Sequence, residues 1–158
     1  MESQTVLLDP GAGRSVSLRG TDVVFKVESG RAAGASCVEF IAAPGFDTGV
    51  HVHQRLEETF YVLDGEFEFR AGEETFQAAS GACVFVPPGI PHAFANRGAA
   101  PSRLLLIMSP PVHDRYFDEL ASILAADGPP DSAAIATLRT RYDTEQLSSL
   151  VTSATSER

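Results

Sequence analysis

Gly45-Phe46-Asp47-Thr48-Gly49-Val50-His51-Val52-His53-Gln54-Arg55-Leu56-Glu57-Glu58-Thr59-Phe60-Tyr61-Val62-Leu63-Asp64-Gly65 decides the fold of this chain of 158 residues. Two histidines stand two apart, a glutamate follows, and a glycine bounds the stretch at either end. A second pattern comes after it: Gly81-x5-Pro87-x-Gly89-x2-His92-x3-Asn96. Three of the four histidines in the chain fall inside these two motifs. Together they supply a complete set of metal ligands and point to a mononuclear site inside a small β-barrel.

On a strand, residues i and i+2 face the same way, about 6.5–7 Å apart along the chain. His51 and His53 therefore project together into one interior. A continuous strand would turn Glu58 to the opposite face, so Gln54-Arg55-Leu56-Glu57 must form a connection that resets the register. Glu57 is the neighbouring carboxylate, but Glu58 fits the spacing to Gly65. His92 arrives by Pro87-Pro88-Gly89-Ile90-Pro91, a stiffened approach. Three imidazoles and one carboxylate suit one divalent transition metal per chain, with Fe(II), Mn, Co, Ni, Cu and Zn all compatible. A metal that prefers six ligands keeps two positions for substrate or dioxygen.

Outward from the motifs, short apolar or alternating runs recur from about Thr21 to Met108, separated by Gly, Pro, Asp and Asn. Asp64-Gly65 is a hairpin signal between Thr59–Leu63 and the alternating Glu66–Arg70. Such spacing predicts an antiparallel sandwich or barrel. After Pro110-Pro111 the period becomes helical, with Val112, Tyr116, Phe117, Leu120, Ile123 and Leu124 on one stripe. A second helix starts at Asp131 or Ser132 and turns Ile135, Leu138 and Tyr142 to one face. The expected organisation is residues 1–20 as an N-terminal segment whose Val6-Leu7-Leu8 forms an exchanged edge strand, 21–110 as the barrel, 111–150 as a helical tail, and 151–158 as a frayed, disordered end.

The net charge of -9 disfavours nucleic acid and anionic membrane surfaces as partners. No apolar run approaches the roughly 20 residues of a membrane-spanning helix. The first residues lack a signal-peptide pattern, so the expected location is cytoplasmic. Cys37 and Cys83 read as two reduced core thiols rather than a disulfide.

The two motifs, with every fixed position present, resemble those of the cupin superfamily over roughly residues 20–110. The resemblance implies an all-β fold, a single-domain cupin jelly-roll β-barrel with a C-terminal helical extension. It implies His51, His53, Glu58 and His92 as metal ligands, with Gly45, Gly65, Gly81, Pro87, Gly89 and Asn96 as turn or barrel-closing residues. The helical tail with Tyr116-Phe117 and Arg141-Tyr142 is further similar to bacterial quercetin-dioxygenase-like cupins.

On this basis the leading expectation is a metal-dependent oxygenase, with Fe(II) favoured and a small phenolic or enolic compound as substrate. Glu58 serves as ligand and proton acceptor. Phe60 and Phe94, each two residues past a ligand, are the first candidates for substrate contact, followed by Phe25 and Phe40. The same ligands would serve a non-redox isomerase, lyase or polyketide cyclase, or a binding protein without turnover. His113 reads as a surface residue. Glu39 and Gln77 read either as polar residues beside the site or as exposed strand positions. A homodimer is the expected assembly.

Overall fold

The computed structural model describes residues 4–153. Its strands are β1 (Arg14–Leu18), β2 (Thr21–Val27), β3 (Ser36–Ala42), β4 (His51–Val52), β5 (Glu57–Asp64), β6 (Glu66–Ala71), β7 (Glu74–Ala79), β8 (Cys83–Val86), β9 (His92–Ala95), β10 (Ser102–Ser109) and β11 (Glu145–Gln146). Two helices, α1 (Asp114–Leu124) and α2 (Ser132–Arg141), precede β11. The strands form two antiparallel sheets, β1-β2-β3-β10-β5-β8 and β11-β4-β9-β6-β7. This is the jelly-roll with C-terminal helices that the alternating runs and the later helical stripes predict.

The core lies between the sheets because inward positions alternate along each strand. On β5, Glu58, Phe60 and Val62 are buried while Tyr61 is exposed. Phe40, Phe46, Phe60, Phe67, Phe69 and Phe94 pack there mostly in edge-to-face or tilted pairs, with ring centroids 5.2–6.5 Å apart. Each such side chain contributes roughly 2–3 kcal/mol of burial energy. The Asp64-Gly65 turn joins β5 to β6, and Gly65 is required there. It has φ +76, and a Cβ would sit 2.3 Å from Ser102 Oγ.

The strand series begins earlier than Thr21. Arg14–Leu18 pairs with β2 of the same chain through a two-residue turn, Arg19-Gly20, both at positive φ. Val6–Leu8 lies in no strand, and Leu7 is 87% exposed. Past the helices, β11 adds to the five-stranded sheet beside β4, and Val151 bridges Asp47. Of the end expected at 151–158, residues 154–158 lie outside the described residues. No described helix is long and apolar enough to cross a membrane.

Both cysteines are free, but only Cys37 is half-buried; Cys83 is exposed. The physical reason is alternation on β8, where Val84 and Val86 face inward and Cys83 and Phe85 outward. Glu39 is buried in ion pairs with Lys26 and Arg103, and Gln77 is exposed.

Candidate metal centre

Cross-strand pairing sets His51 on β4 directly opposite His92 on β9. Glu58 enters from β5 in the facing sheet, where it pairs with Met108 and Val86. His53 follows β4 at once, and its carbonyl accepts from the Gly89 N–H at 2.6 Å, tying the approach of His92 to the first motif. All four side chains are buried, and one donor atom from each lies within 4.8 Å of the others. Glu57 is exposed.

The reset between His53 and Glu58 is made from outside the motif. The Asp143 carboxylate, just past α2, accepts from the backbone N–H groups of Gln54, Arg55 and Leu56 at 3.1, 2.8 and 2.9 Å. Three donors on one carboxylate pin the turn. Burial alone would raise the Asp143 pKa, but those three hydrogen bonds hold it below the usual carboxylate range. Gly49 admits the same tail: its φ is +70 and a Cβ would meet the Ser148 carbonyl oxygen at 2.4 Å.

Each imidazole is oriented through Nδ1. His51 Nδ1 lies 2.9 Å from the Gly49 carbonyl, His92 Nδ1 2.8 Å from that of Ile90, and His53 Nδ1 3.0 Å from that of Asp143. Thr144 Oγ1 also approaches His53 Nδ1 at 3.0 Å. A carbonyl only accepts, so this network places a proton on Nδ1, and Nε2 faces Glu58 either as a lone pair or with a second proton. His92 Nε2 then faces Glu58 Oε2 at 2.8 Å, and His53 Nε2 faces Oε1 at 3.4 Å without a hydrogen-bond partner. Facing acceptors repel unless a proton or a metal ion joins them. The donor set and its rear hydrogen bonds therefore fit a divalent metal, held by His51, His53, Glu58 and His92.

Burial, with the neighbouring rings, pushes the His51 pKa well below that of an ordinary imidazole. For His53 burial acts downward, but the adjacent Glu58 carboxylate outweighs it and the net direction is up. Burial would raise Glu58, yet its two imidazole neighbours hold it well below the usual range, so it is ionised at neutral pH.

Beside the donors is a chamber of about 40 Å³. Phe94 lines it, together with Phe46, Phe117 and Leu106. Phe25, Phe40 and Phe60 are buried in the core. Phe60 packs on Phe69 and Phe94 and stands 6.5 Å from the His92 ring. Phe25 and Phe40 pack on Phe117.

His113 overturns the surface reading. It is 4% exposed, its ring centroid is 5.2 Å from that of His53, and it lines the chamber. The cause is the helical stripe itself: His113, Tyr116, Phe117 and Leu120 are spaced i, i+3, i+4, i+7, and that face of α1 closes over the barrel. Arg139 and Thr144 also line the chamber and carry no motif. Arg139 shares the face of Ile135 and Leu138, so extending both stripes to polar residues is the signal that finds His113 and Arg139. Outside lies a larger pocket of about 320 Å³, walled by Arg55, Leu56, Pro110, Val112, Arg141, Tyr142, Asp143 and again His113.

Burial lowers the His113 pKa to about 4, so the folded chain keeps this ring neutral while the unfolded chain protonates it near 6.5. Its depressed value removes stability as pH falls from about 6.5 to about 4, by up to roughly 3 kcal/mol. Urea unfolding of chelator-treated protein across this window is expected to show that loss, and His113→Leu to reduce it. An unchanged pH slope in the variant would refute the assignment.

Residues 38–108 match the family described as a cupin domain. An uncharacterized protein, MJ1618, of Methanocaldococcus jannaschii is 33% identical over 76 residues, which are 48% of this chain and 61% of that protein. The chain thus spans less than about two thirds of that curated relative. Among solved structures, TT1209 from Thermus thermophilus is 28% identical with a TM-score of 0.50, covering 66% of this chain and 90% of that one. The polyketide cyclase RemF from Streptomyces resistomycificus is 21% identical with a TM-score of 0.61, covering 67% of this chain and 80% of that one. The latter likeness is one of fold.

Proposed function

From the match of residues 38–108 to the cupin domain family, we propose that this chain is a metal-dependent enzyme, an oxygenase of the quercetin-dioxygenase-like kind acting on a small phenolic or enolic compound. The observation that carries the reading is the set of four buried donors, three of them imidazoles whose Nδ1 atoms are tied to carbonyls. A redox metal, Fe(II) first among the candidates, supplies a Lewis-acidic and redox-active point for the substrate oxygen and for dioxygen.

The chain's own residues do the rest. Glu58, ionised among its imidazole neighbours, accepts the substrate hydroxyl proton at a carboxylate oxygen. Phe46, Phe94, Leu106 and Phe117 keep bulk water from the chamber. The outer pocket takes the body of the substrate, and its wall of Leu56, Val112 and Tyr142 suits an apolar or aromatic skeleton.

The test is dioxygen consumption by Fe(II)-loaded protein with a panel of flavonols, catechols and enols, following labelled oxygen into product. Turnover by Zn(II)-loaded protein under anaerobic conditions would sink the oxygenase reading. It would support the second one, a non-redox isomerase, lyase or cyclase, which the same four donors would serve.

The homodimer belongs to this proposal as well. Phe85, Tyr61, Leu63 and Ile107 are exposed on β8, β5 and β10, whose register places Phe85, Thr59 and Ile107 in one row across the six-stranded sheet. Exposed apolar residues grouped on one sheet face suit an interaction surface. The double substitution Tyr61→Glu and Phe85→Glu is expected to give monomers in analytical ultracentrifugation. A dimer of unchanged affinity would place the interface elsewhere.

A further inference from the structure

α2 brings a guanidinium to the metal chamber. Arg139 is 3% exposed and shares the chamber wall with His51, His53 and Glu58. It donates from Nε to the Tyr116 hydroxyl at 3.0 Å, from one terminal nitrogen to Gln146 Oε1 at 3.2 Å, and from the other to the Thr48 carbonyl at 2.7 Å. All three acceptors are uncharged. They use three of the five N–H groups that a guanidinium offers.

Half-buried Arg19 likewise donates to the Leu124 and Ala126 carbonyls, but four other cations of this chain share carboxylates. Arg70 and Arg97 share the Asp47 carboxylate at 2.5 and 2.7 Å. Lys26 and Arg103 share Glu39 at 3.4 and 2.7 Å. Among the described residues Arg139 has no carboxylate in ion-pair range, although it is more deeply buried than any of these four. A buried cation without a counter-charge is costly. Glu58 is the single carboxylate on the chamber wall, and it belongs to the donor set. A divalent ion held there leaves the chamber positive overall.

We infer that the chamber binds an anion, the carboxylate of a small organic acid, with Arg139 as its counter-charge. The identification as carboxylate follows from shape and size. A planar guanidinium matches a planar carboxylate through paired N–H donors. The chamber of about 40 Å³ has room for a head group of that size. The 320 Å³ pocket on the other side of His113, the residue that both walls share, would take the organic body once that ring moves aside. This inference deepens the proposed function, on which it rests for its use: the substrate is an acid that carries the reacting phenol or enol. Arg139 acts as a binding residue and takes no part in bond making.

Calorimetric titration of Co(II)-loaded and metal-free protein with acetate, benzoate and salicylate, each against its neutral amide, tests it. The wild-type protein is expected to bind at least one acid about tenfold or more tighter than its amide, with or without metal. Arg139→Gln is expected to bring each pair to near equality while the visible Co(II) bands stay unchanged. Equal binding of acids and amides by the wild-type protein, or no binding of any acid, overturns the inference. So does a folded Arg139→Gln protein that keeps the acid preference. Arg139→Lys, which keeps the charge and loses the fork, retains part of the preference and serves if the glutamine variant fails to fold. If neither variant folds, the metal-free wild-type titration decides alone. Failure of the metal reading shows separately, as missing Co(II) bands with the acid preference intact.

Discussion

His92→Ala is expected to lower metal affinity by at least about 100-fold, beyond the range seen when only an outer partner of a ligand is removed. His92 Nε2 lies 2.8 Å from Glu58 Oε2, and its Nδ1 is held by the Ile90 carbonyl, so the ring serves the site from both sides. Truncation removes a neutral donor and leaves Glu58 beside two imidazoles, one of them, His53, at 3.4 Å. The barrel survives, because β9 is carried by Ala93, Phe94 and Ala95 in the core. The check is metal content after dialysis against a weak chelator, with circular dichroism as control for the fold. Wild-type stoichiometry in a folded variant would remove His92 from the ligand set, and with it the four-donor site.

Asp143→Ala is expected to cost about 3 kcal/mol of stability and about tenfold in metal affinity. The first loss comes from three charge-assisted hydrogen bonds to the Gln54, Arg55 and Leu56 N–H groups, which then lie bare in the turn. The second comes from the backbone: Asp143 sits at φ 51, where its carbonyl meets His53 Nδ1, and alanine adopts that conformation less readily. Asp143→Asn tolerates the same φ and keeps one acceptor oxygen, so it is expected to lose less on both measures. The carboxylate's share is present at neutral pH and disappears as pH falls through its depressed range, because only the ionised form accepts all three bonds. Urea unfolding in chelator gives the first number and competition with a metal-sensitive dye the second. Equal stability of the alanine variant and the wild-type protein would show that the turn holds itself.

The ligand set is legible in the sequence because the chemistry is local. His51 and His53 share a strand period, Glu58 needs a register reset, and Asp64-Gly65 marks the hairpin after it; all three stand in the structure as the spacing requires. The helices are legible for the same reason, since their apolar stripes repeat within the helix. The agent of the register reset is not legible. Asp143 lies about ninety residues from the turn it pins, and nothing in its own neighbourhood marks that contact. His113 and Arg139 are hidden by residue type: each continues an apolar stripe as a polar side chain, and stripes are read from apolar residues alone. The early strand Arg14–Leu18 escapes a sequence reading because Arg19 does not advertise a turn, although with Gly20 it makes one.

The Asp143 carbonyl behind His53 has a consequence in time. During synthesis the barrel strands and all four metal-type donors leave the ribosome well before the segment that orients one of them. From His92, the last of the four donors, to Asp143 is about fifty residues, which at ordinary elongation rates take on the order of five seconds. Through that interval His53 lacks the carbonyl that orients its ring. The orientation of His53 is therefore completed late, when the C-terminal segment crosses Gly49 and settles beside β4.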